Sequence, residues 1–203
     1  MIMVYDFLQL FKTYDKNIYN QAYFKFTACP VCPAIGRFKM YGSYRRYAIF
    51  FIDNEMTHEF IDIKRILCLS CGTTHAVVPG DLIPYKVISL FVFIFILVSF
   101  YLKKKPVLQT VKRWSLSFQF IYCVIHTFNT YINHIRQYLR EIYPETIPLN
   151  IDINSVLAII KEQSIKFQSG YIKFNRKPCF MCKFIDRTGI PPVGLFVAKH
   201  VAT

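Results

Sequence analysis

Six of the seven cysteines fall into C-x-x-C pairs: Cys29 and Cys32 in "CPVC", Cys68 and Cys71 in "CLSCG", Cys179 and Cys182 in "KPCFMCK". A tight C-x-x-C turn can aim two thiolates at one ion, and two such turns complete a tetrahedral site. The first two pairs are separated by 35 residues, more than a minimal ribbon needs and enough for a β-hairpin. Cys29, Cys32, Cys68 and Cys71 are therefore expected to hold one Zn²⁺ per chain. Four cysteine ligands leave no open position, so the ion's expected role is structural. Gly72 gives the second turn a permissive backbone. His75 lies close enough to Cys71 to substitute as a ligand or support one, but it reads more simply as a histidine on a strand edge, as does His58. The third pair has no partner pair nearby and receives no role. An odd cysteine count dominated by C-x-x-C pairs suits metal binding in a reducing compartment better than a disulfide framework.

The residues between the first two pairs have a strand texture. "YRRYAIFFI" at 44–52 is aromatic and β-branched, "DNE" at 53–55 makes a turn, and "EFIDIKRIL" at 59–67 partly alternates apolar with polar. The first 26 residues, aromatic and mixed in pattern, read as a short helix packed on the strand-rich region after it. "PGDLIP" at 79–84 breaks the chain, and the texture then turns helical. "VLQTVKRW" at 107–114 is a short helix, "SLS" at 115–117 a turn, and 118–142 a long helix with apolar residues from Phe120 to Ile142 at helical spacing. Gln119, His126, Asn129, Asn133, Arg136 and Arg140 mark its other face. A last helix is expected over about 154–168, with Gly170 as its stop.

Charge concentrates where the helices are. The chain carries 25 Lys+Arg against 12 Asp+Glu, a net +13, which favours a polyanionic partner, either nucleic acid or an anionic membrane surface. Residues 81–140 hold eight basic residues and one acidic. The spacing of 107–126 fits a helix-turn-helix, with Trp114, Leu116, Ile121 and Val124 packing the two helices together. Ser117, Phe118, Gln119, Tyr122, Cys123 and His126 then face outward, toward a major groove. Lys103, Lys104, Lys105, Lys112 and Arg113 could hold phosphates, and Gln119 and Tyr122 are the candidates for base edges. The turn has no glycine, and Thr110 stands where an apolar residue is expected.

The stretch "CPVC…GSYRRY…IKRILCLSCGTTHAVVPGDLIPY" resembles the N-terminal zinc-ribbon domain of small proteins associated with bacterial insertion sequences and transposases. In that family a Tyr/Arg-rich strand follows C-P-x-C, then R-x-x-C-x-x-C-G-x-T-H-A-x-x-P and P-Y, and a helix-turn-helix comes next. Its second helix reads roughly S-T-L-Y-R-W. Here Tyr122 matches, while Cys123 and Val124 stand in place of the arginine and tryptophan. The resemblance covers about residues 26–125. It implies recognition of double-stranded DNA on behalf of a mobile element, as an accessory or remnant that works with a transposase or with itself. It implies no catalysis by this chain.

The segment "VISLFVFIFILVSFYL" at 87–102 tests that reading, because thirteen of its sixteen residues are Val, Ile, Leu or Phe. At about −0.3 to −0.6 kcal/mol each, these favour membrane insertion by roughly 4–8 kcal/mol, and three lysines follow. Sixteen helical residues rise only about 24 Å against a hydrocarbon core of about 30 Å. Backward extension meets Lys86, Pro84 and Asp81. The positive-inside rule would also place the cysteines outside the cytoplasm. A buried helix covered by the apolar face of 118–142 and by the N-terminal aromatic segment is the reading adopted. A small membrane protein with one span at 87–102 and a metal-binding domain stays open, as does a zinc-ribbon protein-interaction module.

No set of carboxylates resembles a two-metal nuclease site, and no Gly-rich phosphate loop, G-x-S-x-G or H-E-x-x-H occurs. The expectation is a non-enzymatic, cytoplasmic α+β protein. Its N-terminal zinc-ribbon-like β domain (1–80, including the N-terminal segment) precedes an all-α helix-turn-helix domain (81–145), and a C-terminal helix and irregular tail occupy 146–203.

Overall fold

The computed structural model describes residues 2–4, 24–52, 55–164, 166–168 and 170–171. The third cysteine pair, Cys179 and Cys182, lies outside them. The chain has a mixed α+β architecture. Its strands are β1 (Ile2–Val4), β2 (Phe38–Ile52), β3 (Glu55–Cys68) and β4 (Thr74–Val78), in one sheet ordered β1-β4-β3-β2. The expected hairpin forms from β2 and β3, antiparallel from Ile52 opposite Glu55 to Phe38 opposite Cys68, with one irregularity between Met40 and Gly42. Both strands run beyond the expected 44–52 and 59–67, and the extension carries them to the cysteine turns.

β4 pairs antiparallel with β3, and β1 pairs parallel with β4. Of the N-terminal segment expected to form a short helix, residues 2–4 are a strand. The outer edge of β4 presents unpaired backbone groups there, and pairing satisfies them. The rest of that segment lies outside the described residues.

Among the described residues, four named helices come after the sheet: α1 (Leu90–Leu97), α2 (Val107–Trp114), α3 (Phe118–Ile142) and α4 (Ile153–Gln163). The Ser89 hydroxyl caps α1 by accepting from the Val92 N–H at 3.3 Å, and a π-helical turn at Val98–Leu102 prolongs it. In α1, Leu90, Val92, Phe93, Ile94, Ile96 and Leu97 are all buried, each contributing about 1.5–3 kcal/mol by leaving water. They pack against β2, α3 and α4, so the apolar run is core, as the adopted reading expects. No helix among the described residues is long and apolar enough to cross a membrane.

α2 and α3 have the expected limits. Pro106 precedes α2, and the Ser117 hydroxyl caps α3 by accepting from the Phe120 N–H at 3.1 Å. The C-terminal helix departs from expectation. α4 ends at Gln163, where Ser164 takes a positive φ of 44°. The backbone is helical again at 166–168 and 170–171. Gly170 is therefore no stop signal; a Cβ at that position would collide with the Tyr138 hydroxyl of α3. Close approach of two elements explains the glycine, which periodicity cannot reveal.

The sheet meets the segment leading into the helices along β2. The Ile49 N–H donates to the Val87 carbonyl at 2.7 Å, and the Ser89 N–H donates to the Ile49 carbonyl at 2.8 Å. One turn of the pleat later, Phe51 packs edge-on against Phe95 (ring centroids 4.9 Å apart) and Trp114 (5.1 Å). The junction thus fixes α1 and α2 against the hairpin end farthest from the cysteines.

Candidate metal centre

Each cysteine pair sits on a turn whose local hydrogen bonds set its shape. In the first, the Cys29 N–H donates to the Ala34 carbonyl (2.9 Å), the Gly36 N–H donates to the Thr27 carbonyl (3.0 Å), and the Val31 N–H points at the Cys29 sulfur (3.4 Å). In the second, Cys68 ends β3, its N–H donates to the Thr73 carbonyl (3.0 Å), and the Gly72 N–H donates back to the Cys68 carbonyl (2.9 Å). The Leu69 N–H donates to the Arg37 carbonyl at 2.8 Å, tying the two turns together. Gly36 and Gly72 both have φ of +69°, a left-handed conformation that other residues adopt at a cost of roughly 1–2 kcal/mol. Gly36 is also crowded, since a Cβ there would lie 2.5 Å from the Lys25 carbonyl oxygen. Gly72 is legible from the C-x-x-C-G motif, whereas Gly36, four residues past its own pair, carries no such marker.

The four sulfurs of Cys29, Cys32, Cys68 and Cys71 all lie within 4.8 Å of one another. Cys29 Sγ and Cys71 Sγ are 3.8 Å apart, and Cys32 Sγ and Cys68 Sγ are 3.6 Å apart. Zinc–sulfur bonds of about 2.3 Å in a tetrahedron put sulfurs about 3.8 Å apart, so the donors fit such an ion in number, type and spacing. Electrostatics agree with the geometry. The side chain and backbone of Thr73 hydrogen-bond the Cys71 thiolate and lower its pKa to about 6. At Cys32 the Ala34 N–H acts in the same sense. Burial and the hydrogen bonds to Cys71, Cys68 and Cys29 outweigh it and push that thiol up to about 12. Four thiols this close cannot all ionise by themselves, whereas a divalent cation at their centre would allow it.

His75 departs from expectation. It lies in β4, between β1 and β3, and is 0% exposed. Its Nε2 is 3.4 Å from Cys29 Sγ, and the Phe38 ring packs edge-on against it at 6.2 Å. Burial lowers its pKa, so the ring is neutral and its Nε2–H can donate to the sulfur. The alternation of β4 produces this: His75 and Val77 point to one face of the sheet, Thr74 and Ala76 to the other. His75 thus contacts Cys29 from beside the cluster of four thiols and is not one of its members. His58 remains the ordinary strand residue expected, exposed and tilted against Tyr47.

The other candidate residues lie away from the sulfurs. Thr110, Leu116, Ile121 and Val124 are buried between α2 and the rest of the helical core, while Trp114 is half-buried. Phe118, Gln119, Tyr122 and His126 are exposed on the N-terminal part of α3, as expected; Ser117 and Cys123 are half-buried. Lys112 and Arg113 are exposed at the end of α2, and the Arg113 guanidinium lies over the Trp114 ring at 4.9 Å. The turn without glycine is made by Ser115, in the left-handed region at φ 51°. Lys103 and Lys104 are exposed and Lys105 is half-buried. They come just after the π turn, whose Tyr101 donates to Asn129 Oδ1 of α3 at 2.6 Å. That contact places the three lysines beside the middle of α3, about 10 Å along the axis from Tyr122.

Fold and site together define a mixed α+β protein that brings four cysteines into a cluster able to hold a metal ion. Residues 29–114 match the family described as a domain of unknown function, DUF6431. The matched region begins at the first thiol and ends with the last residue of α2. It includes all four clustered cysteines, Lys112 and Arg113, but not Gln119 or Tyr122. No curated protein and no solved structure matches the chain.

Proposed function

We propose that the chain is a non-catalytic DNA-binding protein: a zinc-ribbon β unit joined to a helix-turn-helix, serving a mobile element. The observation that carries this reading is the exposed start of α3. Gln119 and Tyr122 stand clear of the core there, one short turn after exposed Lys112 and Arg113. A groove-reading helix needs such a disposition, with cations for phosphates beside polar side chains for base edges. The net charge of +13 suits the partner. Zinc is the ion that best fits four thiolates in a closed tetrahedron, and its role is to hold the two turns together. The link to a mobile element comes from the cysteine-motif resemblance.

The test is fluorescence anisotropy with a labelled duplex over a salt series. Neutralising about five phosphates gives a slope of log K against log salt near −4.5, so affinity falls about 500-fold between 50 and 200 mM salt. The K112A/R113A variant lowers the slope by about two while metal content stays unchanged. A salt-independent affinity sinks the proposal.

One observation favours a second reading, that of a protein-interaction module. Phe26, Val31, Ile35 and Leu69, on or beside the cysteine turns, are exposed apolar residues of the kind that partner surfaces use. A duplex that binds no better than buffer, with a protein captured through these residues, would establish it.

A further inference from the structure

The face of the sheet opposite His75 carries a cleft of about 370 Å³, within the size range of small-ligand sites. Its floor comes from three strands: Tyr44 and Arg46 of β2, Arg65 of β3 and Thr74 of β4. Pairing of Tyr44 with Ile63 and of Arg65 with Ala76 puts these side chains on one face. Its roof is the segment before α1, with Tyr85 and Lys86. The Arg46 guanidinium clamps that roof by donating to the Ile83 and Lys86 carbonyls.

The charges in this cleft are unbalanced. Three of its lining residues are cationic, and among the described residues that line it none is acidic. Arg65 is aimed by a 2.7 Å hydrogen bond to Thr74 Oγ1 and by the Tyr41 ring beneath it, 5.3 Å away. Lys86 is only 8% exposed, and no carboxylate among the described residues pairs with it. Together with Arg46 and Arg65 it makes the lining of the cleft cationic, which suits an anion. Tyr85 adds a second oddity, since it holds a left-handed backbone (φ 62°) with its ring largely exposed at the rim. Strain of this kind at a cleft mouth marks a residue placed for contact. With Tyr44 it sets two aromatic faces beside the cations.

We propose that this cleft binds a phosphate ester of the nucleotide class, with Arg65 and Lys86 on the phosphate and Tyr44 and Tyr85 against the base. Guanidinium and ammonium donors suit phosphate oxygens, and aromatic rings stack on any base. Phosphate and base could come from a free nucleotide or from a nucleic-acid end, and the chemistry in the cleft is the same. The proposal does not rest on the helix-turn-helix reading, because α2 and α3 contribute no residue to the cleft.

Calorimetry on the full, metal-loaded chain tests it, with a nucleoside monophosphate, the matching unphosphorylated nucleoside and a 5′-phosphorylated hexanucleotide as probes. Saturable binding of the monophosphate but not the nucleoside is expected, weakened about tenfold or more by K86M and by R65Q. If only the hexanucleotide binds, with the same sensitivity to K86M and R65Q, a nucleic-acid end is the source and the proposal stands. K86M keeps the stem's bulk, and circular dichroism with metal content checks that both variants fold. Binding of neither phosphate probe overturns the proposal, as does binding that K86M and R65Q leave untouched. Loss of duplex binding through K112A/R113A bears on the other reading alone.

Discussion

Gly36 and Gly72 offer a controlled experiment on the metal centre. Both have φ of +69°, but a Cβ on Gly72 would meet nothing within 4 Å, while one on Gly36 would lie 2.5 Å from the Lys25 carbonyl oxygen. Alanine at position 72 therefore incurs only the left-handed backbone cost, about 1–2 kcal/mol. Alanine at position 36 incurs that cost plus overpacking against backbone, a further 1–3 kcal/mol or so. Both turns aim their sulfurs at one cluster, so on the zinc reading the strain should appear as lost metal affinity. At about 1.4 kcal/mol per factor of ten, G72A should bind Zn²⁺ about five- to thirty-fold more weakly than the native chain. G36A should be weaker than G72A by a further factor of about five to 150. Competition against a chromophoric chelator at fixed pH measures all three proteins. Equal losses in the two variants would refute the steric half of the reasoning, and a native-like G36A would refute both halves.

Two more outcomes concern the helices. G170A should destabilise the chain through the Tyr138 hydroxyl, and removing that hydroxyl in G170A/Y138F should restore stability. Chemical denaturation of the four-protein cycle should give a coupling of about 1–2 kcal/mol, and additivity would contradict the close contact. Asp152 caps α4, its carboxylate accepting from the Asn154 N–H at 2.8 Å and the Ser155 N–H at 3.1 Å. Hydrogen bonds from the Ser155 side chain and backbone lower its pKa, so its contribution is present above the ordinary Asp pKa and lost as pH falls through the depressed one. D152A should melt at a lower temperature near pH 7, with the gap closing under acid; a gap unchanged at low pH would show that the charge plays no part.

What the sequence revealed was local. Spacing alone pointed to the four cysteines that cluster, because a C-x-x-C turn needs only its own residues and one matching turn. The limits of α2 and α3 were legible from Pro106, the Ser117 cap and the 3.6-residue period. β1 was not, since three residues carry no periodicity and their pairing depends on an edge more than seventy residues away. Gly170 resembled a stop because periodicity cannot register a hydroxyl from another helix. His75 and Lys86 were misjudged for a shared reason: burial is a tertiary property. Lys86 read as the polar border of an apolar run, yet the chain folds it into the roof of a cleft. The segment "GSYRRY" did hold a usable signal, because strand alternation puts Tyr44 and Arg46 on one face.

The hairpin also determines how the molecule can fail. β2 and β3 pair over fourteen positions, about 45 Å of strand, with the sulfurs at one end and the Phe51–Trp114 contact at the other. An ion on the four sulfurs would support one end of this lever, while the helical core grips the far end. If the cysteines hold an ion, its removal is expected to fray the cysteine end of the hairpin first and to leave the body that carries α2 and α3 folded.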